Sequence, residues 1–171
     1  MEHKIRSGVG LLILTDIPKI GRVAILQARG YFNTEEMRSQ YYSGGCQVTV
    51  YGGINKGELP KDALLREVKE ELGSSVATLL KNQPIFKVSE FERKNELGII
   101  YTTLMSYQFL KKIRLGPDSG GIRLVKPNEL KHALDLSKYK SGVKNSSVIA
   151  VFPDMRKTLT GAFKIFKNQK I

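Results

Sequence analysis

GGINKGELPKDALLREVKEELG, residues 52–73, is the stretch from which the rest of the chain can be read. It opens on a glycine pair and a short polar loop. After Pro60 the apolar period becomes helical, with Leu64, Leu65, Val68 and Leu72 on one stripe. Proline suits a first helical turn and Gly73 suits the residue just past the last. The loop nearly spells a phosphate-binding signature, but Glu58 follows Gly57 where that signature places its lysine. With Val68 at the centre of the buried stripe, a turn of about 100° per residue sets Glu71, Glu67 and Glu70 along one side, with Arg66 beyond Glu70. Carboxylates this close raise one another's proton affinity unless a cation neutralises them. Hard oxygen donors favour Mg²⁺, Mn²⁺ or Ca²⁺ over zinc. A solvated acidic face would use the same letters, because glutamate is a good helix former. The glycines upstream weigh toward the metal.

With the glycines included, the stretch resembles the signature of the Nudix hydrolases, G-x5-E-x7-R-E-U-x-E-E-x-G-U, where U is a bulky aliphatic. Gly52, Glu58, Arg66, Glu67, Val68, Glu70, Glu71 and Gly73 fill its positions in register, and only Ser74 departs, at the final aliphatic site. The resemblance implies an α/β/α sandwich with a mixed central sheet, spanning residues 1–171 as one domain with the signature at 52–74. It also implies metal-dependent hydrolysis of a nucleoside diphosphate linked to another group, with Mg²⁺ or Mn²⁺ as cofactor. By the same resemblance Glu67, Glu70 and Glu71 face the metal, and the Gly53 carbonyl adds a backbone donor. Glu67, Glu70 and Arg66 are the catalytic candidates, Arg66 bracing the loop with Glu58. The general base is either a glutamate of this helix or a loop acid: Asp118, or one of Glu90, Glu92 and Glu96. Arg29 and Asp118 are the substrate-side candidates.

Upstream, residues 9–14 and 22–28 are apolar runs separated by Asp16, Pro18 and Gly21, which reads as two strands and a turn. Residues 30–45 form a long polar and aromatic loop, with room for a helical turn near 34–38. Its Tyr31, Phe32, Tyr41 and Tyr42 suit either stacking on a base or covering a core edge. The β-branched stretch 46–51 forms a third strand that delivers the chain to the glycine pair. Downstream, 85–88, 99–110 and 122–125 read as strands, 127–130 starts a short helix, and a closing helix covers about 154–168, with Pro153 interrupting the stretch before it. Mixed strands with few helices indicate a layered α/β or α+β fold.

Composition sets the outer bounds. A chain of 171 residues with 41% hydrophobic and 26% charged residues is the size and make-up of one soluble domain. The run at 9–14 is too short for a membrane span, and no cleavage pattern follows it, so a buried strand and a cytoplasmic setting are the expectation. The sequon Asn145-Ser146-Ser147 would matter only in a secreted protein. Cys46 is the one cysteine and excludes an internal disulfide. His3 and His132 stand apart, which gives no histidine dyad. The net charge of +12 attracts polyanions. It keeps open an RNA 5′-end pyrophosphohydrolase, and a Nudix-like module that binds nucleotide or nucleic acid without cleaving it, beside a small-nucleotide enzyme. The charge names no substrate, and oligomeric state is not encoded in it.

Overall fold

The computed structural model describes residues 6–34, 36–93, 95–144 and 148–169. Its axis is β1 (Arg6–Ile17), buried on both faces. Val9, Leu11 and Ile13 point to one face and Leu12 and Leu14 to the other, so the strand reads as a continuous apolar run instead of alternating. β1 pairs in parallel with β8 (Glu96–Leu104) and antiparallel with β2 (Gly21–Arg29), which makes the sheet mixed. β7 (Phe86–Arg93) pairs β8, and β9 (Ser119–Val125) pairs the far side of β2.

β1 and β2 pair only through Ile13–Ile17 and Gly21–Ile25, then splay apart. Into the fork run β5 (Cys46–Gln47), which pairs β2, and β6 (Val50–Gly53), which pairs β1. Thr49, fully buried between them, accepts a hydrogen bond from the Ile13 amide at 2.9 Å and donates to the Ile25 carbonyl at 2.5 Å. One hydroxyl thus satisfies two backbone groups that the splay would otherwise leave without partners. The stretch 46–51 is therefore two short strands on two different neighbours, where the sequence reads as one.

Helix α1 (Pro60–Leu72) packs Ala63, Leu64, Val68 and Leu72 onto the Val9, Leu11 and Ile13 face. Each such fully buried Leu or Val contributes about 2 kcal/mol, which fixes the helix's rotation about its axis and so fixes where its glutamates emerge. Gly73, at φ +95°, turns the chain directly into α2 (Ser74–Leu80). Ser74 is the exposed start of this second helix, and Val76 and Leu80 supply the apolar contacts. At seven residues and without a side-chain cap, α2 has no sequence signature of its own.

On the opposite face α3 (Pro153–Ile165) lays Leu159 and Ala162, followed by Phe166, over Leu12, Leu14 and Leu26. Pro153 opens this helix, where its missing N–H costs nothing, and does not interrupt the stretch. The strand expected at 99–110 stops at Leu104, and Tyr107–Lys112 is a 3-10 helix whose buried Phe109 plugs the α1 side of the core. The segment expected to begin at 127–130 is the 3-10 helix Pro127–His132. Within 30–45 the chain forms a small hairpin of β3 (Phe32–Asn33) and β4 (Arg38–Ser39), turned by the Asn33 side chain accepting from the Glu36 amide at 2.8 Å, and not a helical turn. His3 and the sequon lie outside the described residues. No helix among the described residues is long and apolar enough to cross a membrane.

Candidate active site

The fork, the end of β6 and one side of α1 meet in a cleft of about 540 Å³. Its walls include Glu67, Glu70, Glu71, Gly52, Gly53, Arg29 and Asp118. Residues from as far apart in the chain as Gln27 and Ser119 thus come together, because β9 pairs with β2 and sets Ser119 opposite Arg29.

Gly52 sets how close helix and strand can come. A Cβ on it would fall 1.9 Å from the Glu67 carboxyl carbon, so only glycine lets that carboxylate lie against the strand. Glu67 is the buried acid, at 9% exposure, while the Glu70 side chain is 57% exposed and stands at the cleft mouth. Glu71 is tucked under β6, where the Tyr51 amide donates to it at 3.3 Å. Burial first, and the neighbouring charges of Glu67 and Glu70 after it, push the Glu71 carboxyl up to about 7, against the pull of the Tyr51 amide and Gln27. This shift favours the protonated form of a group that has no positive partner among the causes acting on it.

Arg66 stands behind the cleft wall. Its Nε and Nη2 donate to the two oxygens of Glu58 at 2.9 and 3.0 Å, Nη1 to Glu67 at 2.6 Å, and Nη2 also to the Gly53 carbonyl at 2.7 Å. Glu58 in turn accepts from the Asn55 amide at 2.9 Å. The Arg66 guanidinium holds the Glu58 carboxyl below its usual range, with help from the Asn55 amide. The same fork, donated to Glu58 and then Glu67, raises the pKa of Arg66. Loop, glycine pair and helix are clamped by one planar side chain, a task that suits the rigid guanidinium better than an ammonium.

The far wall carries a hydrogen-bonded chain that the sequence reading did not single out. Arg29 Nη1 donates to Gln47 Oε1 at 3.1 Å, and Gln47 Nε2 donates to Gln27 Oε1 at 3.2 Å. Gln27 shares the cleft wall with Glu71 and pulls against the rise of its pKa. One cation and two amides thus form a single hydrogen-bonded row along the wall that also carries the acid with the raised pKa. The available signal was the period of two in RVAILQAR, which sets Gln27 and Arg29 on the same face of an otherwise apolar strand. Arg29 Nε also donates to the Tyr41 carbonyl at 3.0 Å, and burial lowers its pKa.

Asp118 lines the cleft but is engaged: one carboxylate oxygen accepts from the Thr34 amide at 3.0 Å and from the Thr34 hydroxyl at 2.7 Å, which lowers its pKa. It ties the β3–β4 hairpin to the loop before β9. Glu90, Glu92 and Glu96 lie on strands, not on a loop. Glu90 pairs with Lys87 and, with Glu92, lines a separate depression at the β7 edge. Glu96 accepts from the Tyr51 hydroxyl at 2.5 Å and lines a smaller compartment of about 260 Å³ that adjoins the cleft through Arg29, Gln47 and Tyr51. Of the loop aromatics, Tyr42 packs edge-on against Phe152 at 5.2 Å, whereas Tyr31, Phe32 and Tyr41 are exposed. Cys46 is buried.

Among the described residues, no three acids, histidines or cysteines already converge on one point as a closed metal cage. The donor set still suits a hard divalent cation: carboxylates and a carbonyl, with no nitrogen or sulfur ligand, and one acid whose pKa is raised by burial and by its like-charged neighbours.

A mixed sheet between helices, forked to admit a glycine pair beside an acid-bearing helix, is an α/β sandwich. The model of the NUDIX domain matches residues 6–144, and the chain belongs to the Nudix hydrolase family. Among solved structures it is similar to a mutT/nudix family protein from Listeria innocua, with a TM-score of 0.68 and 18% identity over 97% of this chain and 96% of that one. An Ap4A hydrolase from C. elegans superposes with a TM-score of 0.57 at 14% identity, over 95% and 98% of the two chains. Both likenesses are of fold. A curated relative, the RNA pyrophosphohydrolase of a Nitratiruptor species, is 46% identical over 43 residues. That match spans 25% of this chain and 28% of the relative's length.

Proposed function

We propose that this protein is a divalent-metal-dependent pyrophosphohydrolase that cleaves the pyrophosphate linkage of a nucleoside diphosphate linked to another group, acting as one catalytic unit over residues 1–171 in a cytoplasmic setting. The observation that carries this reading is the meeting of Glu67, Glu70 and Glu71 with Gly53 and Arg29 in one cleft. Glu67, Glu70, Glu71 and the Gly53 carbonyl would hold Mg²⁺ or Mn²⁺. A bound divalent ion would neutralise diphosphate charge and make an attacking water more acidic. Arg66 is a positioning residue that presents Glu67 and Gly53. Glu70, exposed at the mouth and 3.5 Å from the Arg66 guanidinium, would take a proton from that water. Arg29, on the opposite wall, would meet a substrate phosphate, and Asp118 holds the hairpin beside it.

A second reading, removal of phosphates from an RNA 5′ end, is favoured by the partial match to an RNA pyrophosphohydrolase and by the net charge of +12. A binding module that does not cleave would have no chemical need for the full carboxylate set.

The test is a panel of nucleoside triphosphates, ADP-ribose, dinucleoside polyphosphates, isoprenoid diphosphates and 5′-triphosphate RNA, each with Mg²⁺ or Mn²⁺, against wild type and Glu70→Gln. Cleavage by wild type, lost in the variant, is the expected result. No cleavage of any compound, or equal cleavage by the variant, removes the hydrolase reading.

A further inference from the structure

Beyond the cleft mouth lies a second concavity, of about 530 Å³, lined by Ser39, Gln40, Tyr41, Lys138, Lys140 and Ser141. Gln40 belongs to both walls, so the two spaces adjoin. Among the described residues its lining holds two lysines and no acid. The Tyr41 ring, 49% exposed, has Arg38 over it at 4.5 Å and the Lys140 ammonium at 5.1 Å. Arg38 is itself paired with Glu36, which leaves Lys138 and Lys140 as the groove's own cations. On the same hairpin Tyr31 and Phe32 are 73% and 46% exposed.

The hairpin's position is fixed from the cleft side. Arg29 donates to the Tyr41 carbonyl, Thr34 holds Asp118, and the Tyr42 amide donates to the Lys140 carbonyl at 3.0 Å. The groove is thus built onto the cleft by the same residues that wall it. Exposed flat rings beside a track of cations match a single strand, whose bases stack on aromatics while its phosphates meet the lysines. A mononucleotide seated with its phosphates at the carboxylates would leave this surface unused.

We propose that the groove of Tyr41, Lys138 and Lys140 receives the strand that leads away from the 5′ phosphates of a single-stranded RNA held in the cleft. This rests on the second reading above, that of an RNA 5′-end hydrolase. The cleft holds the chain end, an early base replaces Arg38 on the Tyr41 ring, and the two lysines take the phosphates that follow.

The test measures binding of a 3′-fluorescein-labelled, 5′-triphosphate ten-nucleotide RNA by anisotropy, without divalent metal, at several salt concentrations. Wild type is compared with Lys138→Ala/Lys140→Ala and with Tyr41→Ala, all exposed positions. Each neutralised phosphate contributes about 0.7 to the salt slope for a single strand, so the double variant should lose about 1.4 of it. Loss of a stacking ring should weaken binding roughly fivefold or more. Hydrolysis of a nucleoside triphosphate by the lysine variant should stay at the wild-type level. The proposal is overturned if wild type binds no RNA, or if the lysine variant binds within twofold of wild type. It is equally overturned if polyglutamate competes as well as RNA does and Tyr41→Ala changes nothing. Because binding is read without metal, a failure to hydrolyse would count against the hydrolase reading and leave the groove to be judged by affinity.

Discussion

Glu71→Gln should make the metal-free protein more stable while removing its response to divalent ions. In the native state the Glu71 carboxyl sits at about 7 instead of 4.5, because it is buried beside two like charges. Between these two values the folded chain holds a proton that the unfolded chain has released, so stability falls as pH rises through that window. A displacement of this size corresponds to about 3 kcal/mol withheld from the metal-free protein above neutral pH. Glutamine keeps the shape and can still accept from the Tyr51 amide and pair with Gln27, but it carries no charge to desolvate. Roughly 1–3 kcal/mol should therefore be recovered at pH 8, which for a chain of this size is a rise in Tm of about 2–12 °C. At pH 5, where wild type is already protonated at this position, the two proteins should differ little. The assay is urea and thermal unfolding in EDTA at pH 5 and pH 8, repeated at pH 8 with Mn²⁺. Wild type should gain stability from the ion and the variant should gain much less. A variant that is no more stable at pH 8, or whose advantage is the same at both pH values, refutes the reasoning.

Three further substitutions probe the same geometry. Glu70→Gln, at an exposed side chain, should change stability by no more than about 0.5 kcal/mol while lowering turnover roughly 10²- to 10⁴-fold. Unfolding curves and initial rates on one preparation separate the two effects, and a large stability loss would count against the mouth position. Arg66→Lys cannot span Glu58, Glu67 and Gly53 together and should cost about 1–3 kcal/mol in urea unfolding. Wild-type stability in that variant would show that the clamp is not needed. Gly52→Ala drives a methyl group into the Glu67 carboxylate and should cost about 1–3 kcal/mol and abolish metal-induced stabilisation, as read by thermal shift with Mn²⁺. An unchanged thermal shift would mean that Glu67 does not need to lie against the strand.

Helix α1 was legible in the sequence because its information is local: a period of 3.6, a proline at one end and a glycine at the other all concern neighbouring residues. The three glutamates follow from the same periodicity, since fixing the buried stripe fixes the side that flanks it. Boundaries failed where local signals compete with tertiary ones. The apolar residues of 105–110 read as strand, yet Phe109 is buried by a 3-10 helix that folds onto α2 and β1. Ser74 reads as a missing contact, yet it opens a helix stabilised by packing and not by propensity.

The chain's letters by themselves determined the carboxylate helix, the glycine pair that it needs and the family to which both belong, because these rest on spacing along one short segment. Only the tertiary structure decided what faces them. Arg29, Gln27, Gln47 and Asp118 reach the cleft because β1 and β2 splay around Thr49 and admit β5 and β6, a long-range pairing with no local signature. It also divided the loop aromatics, sending Tyr42 into a core edge and leaving Tyr41 on the surface, since a side chain's burial depends on what the rest of the chain brings beside it.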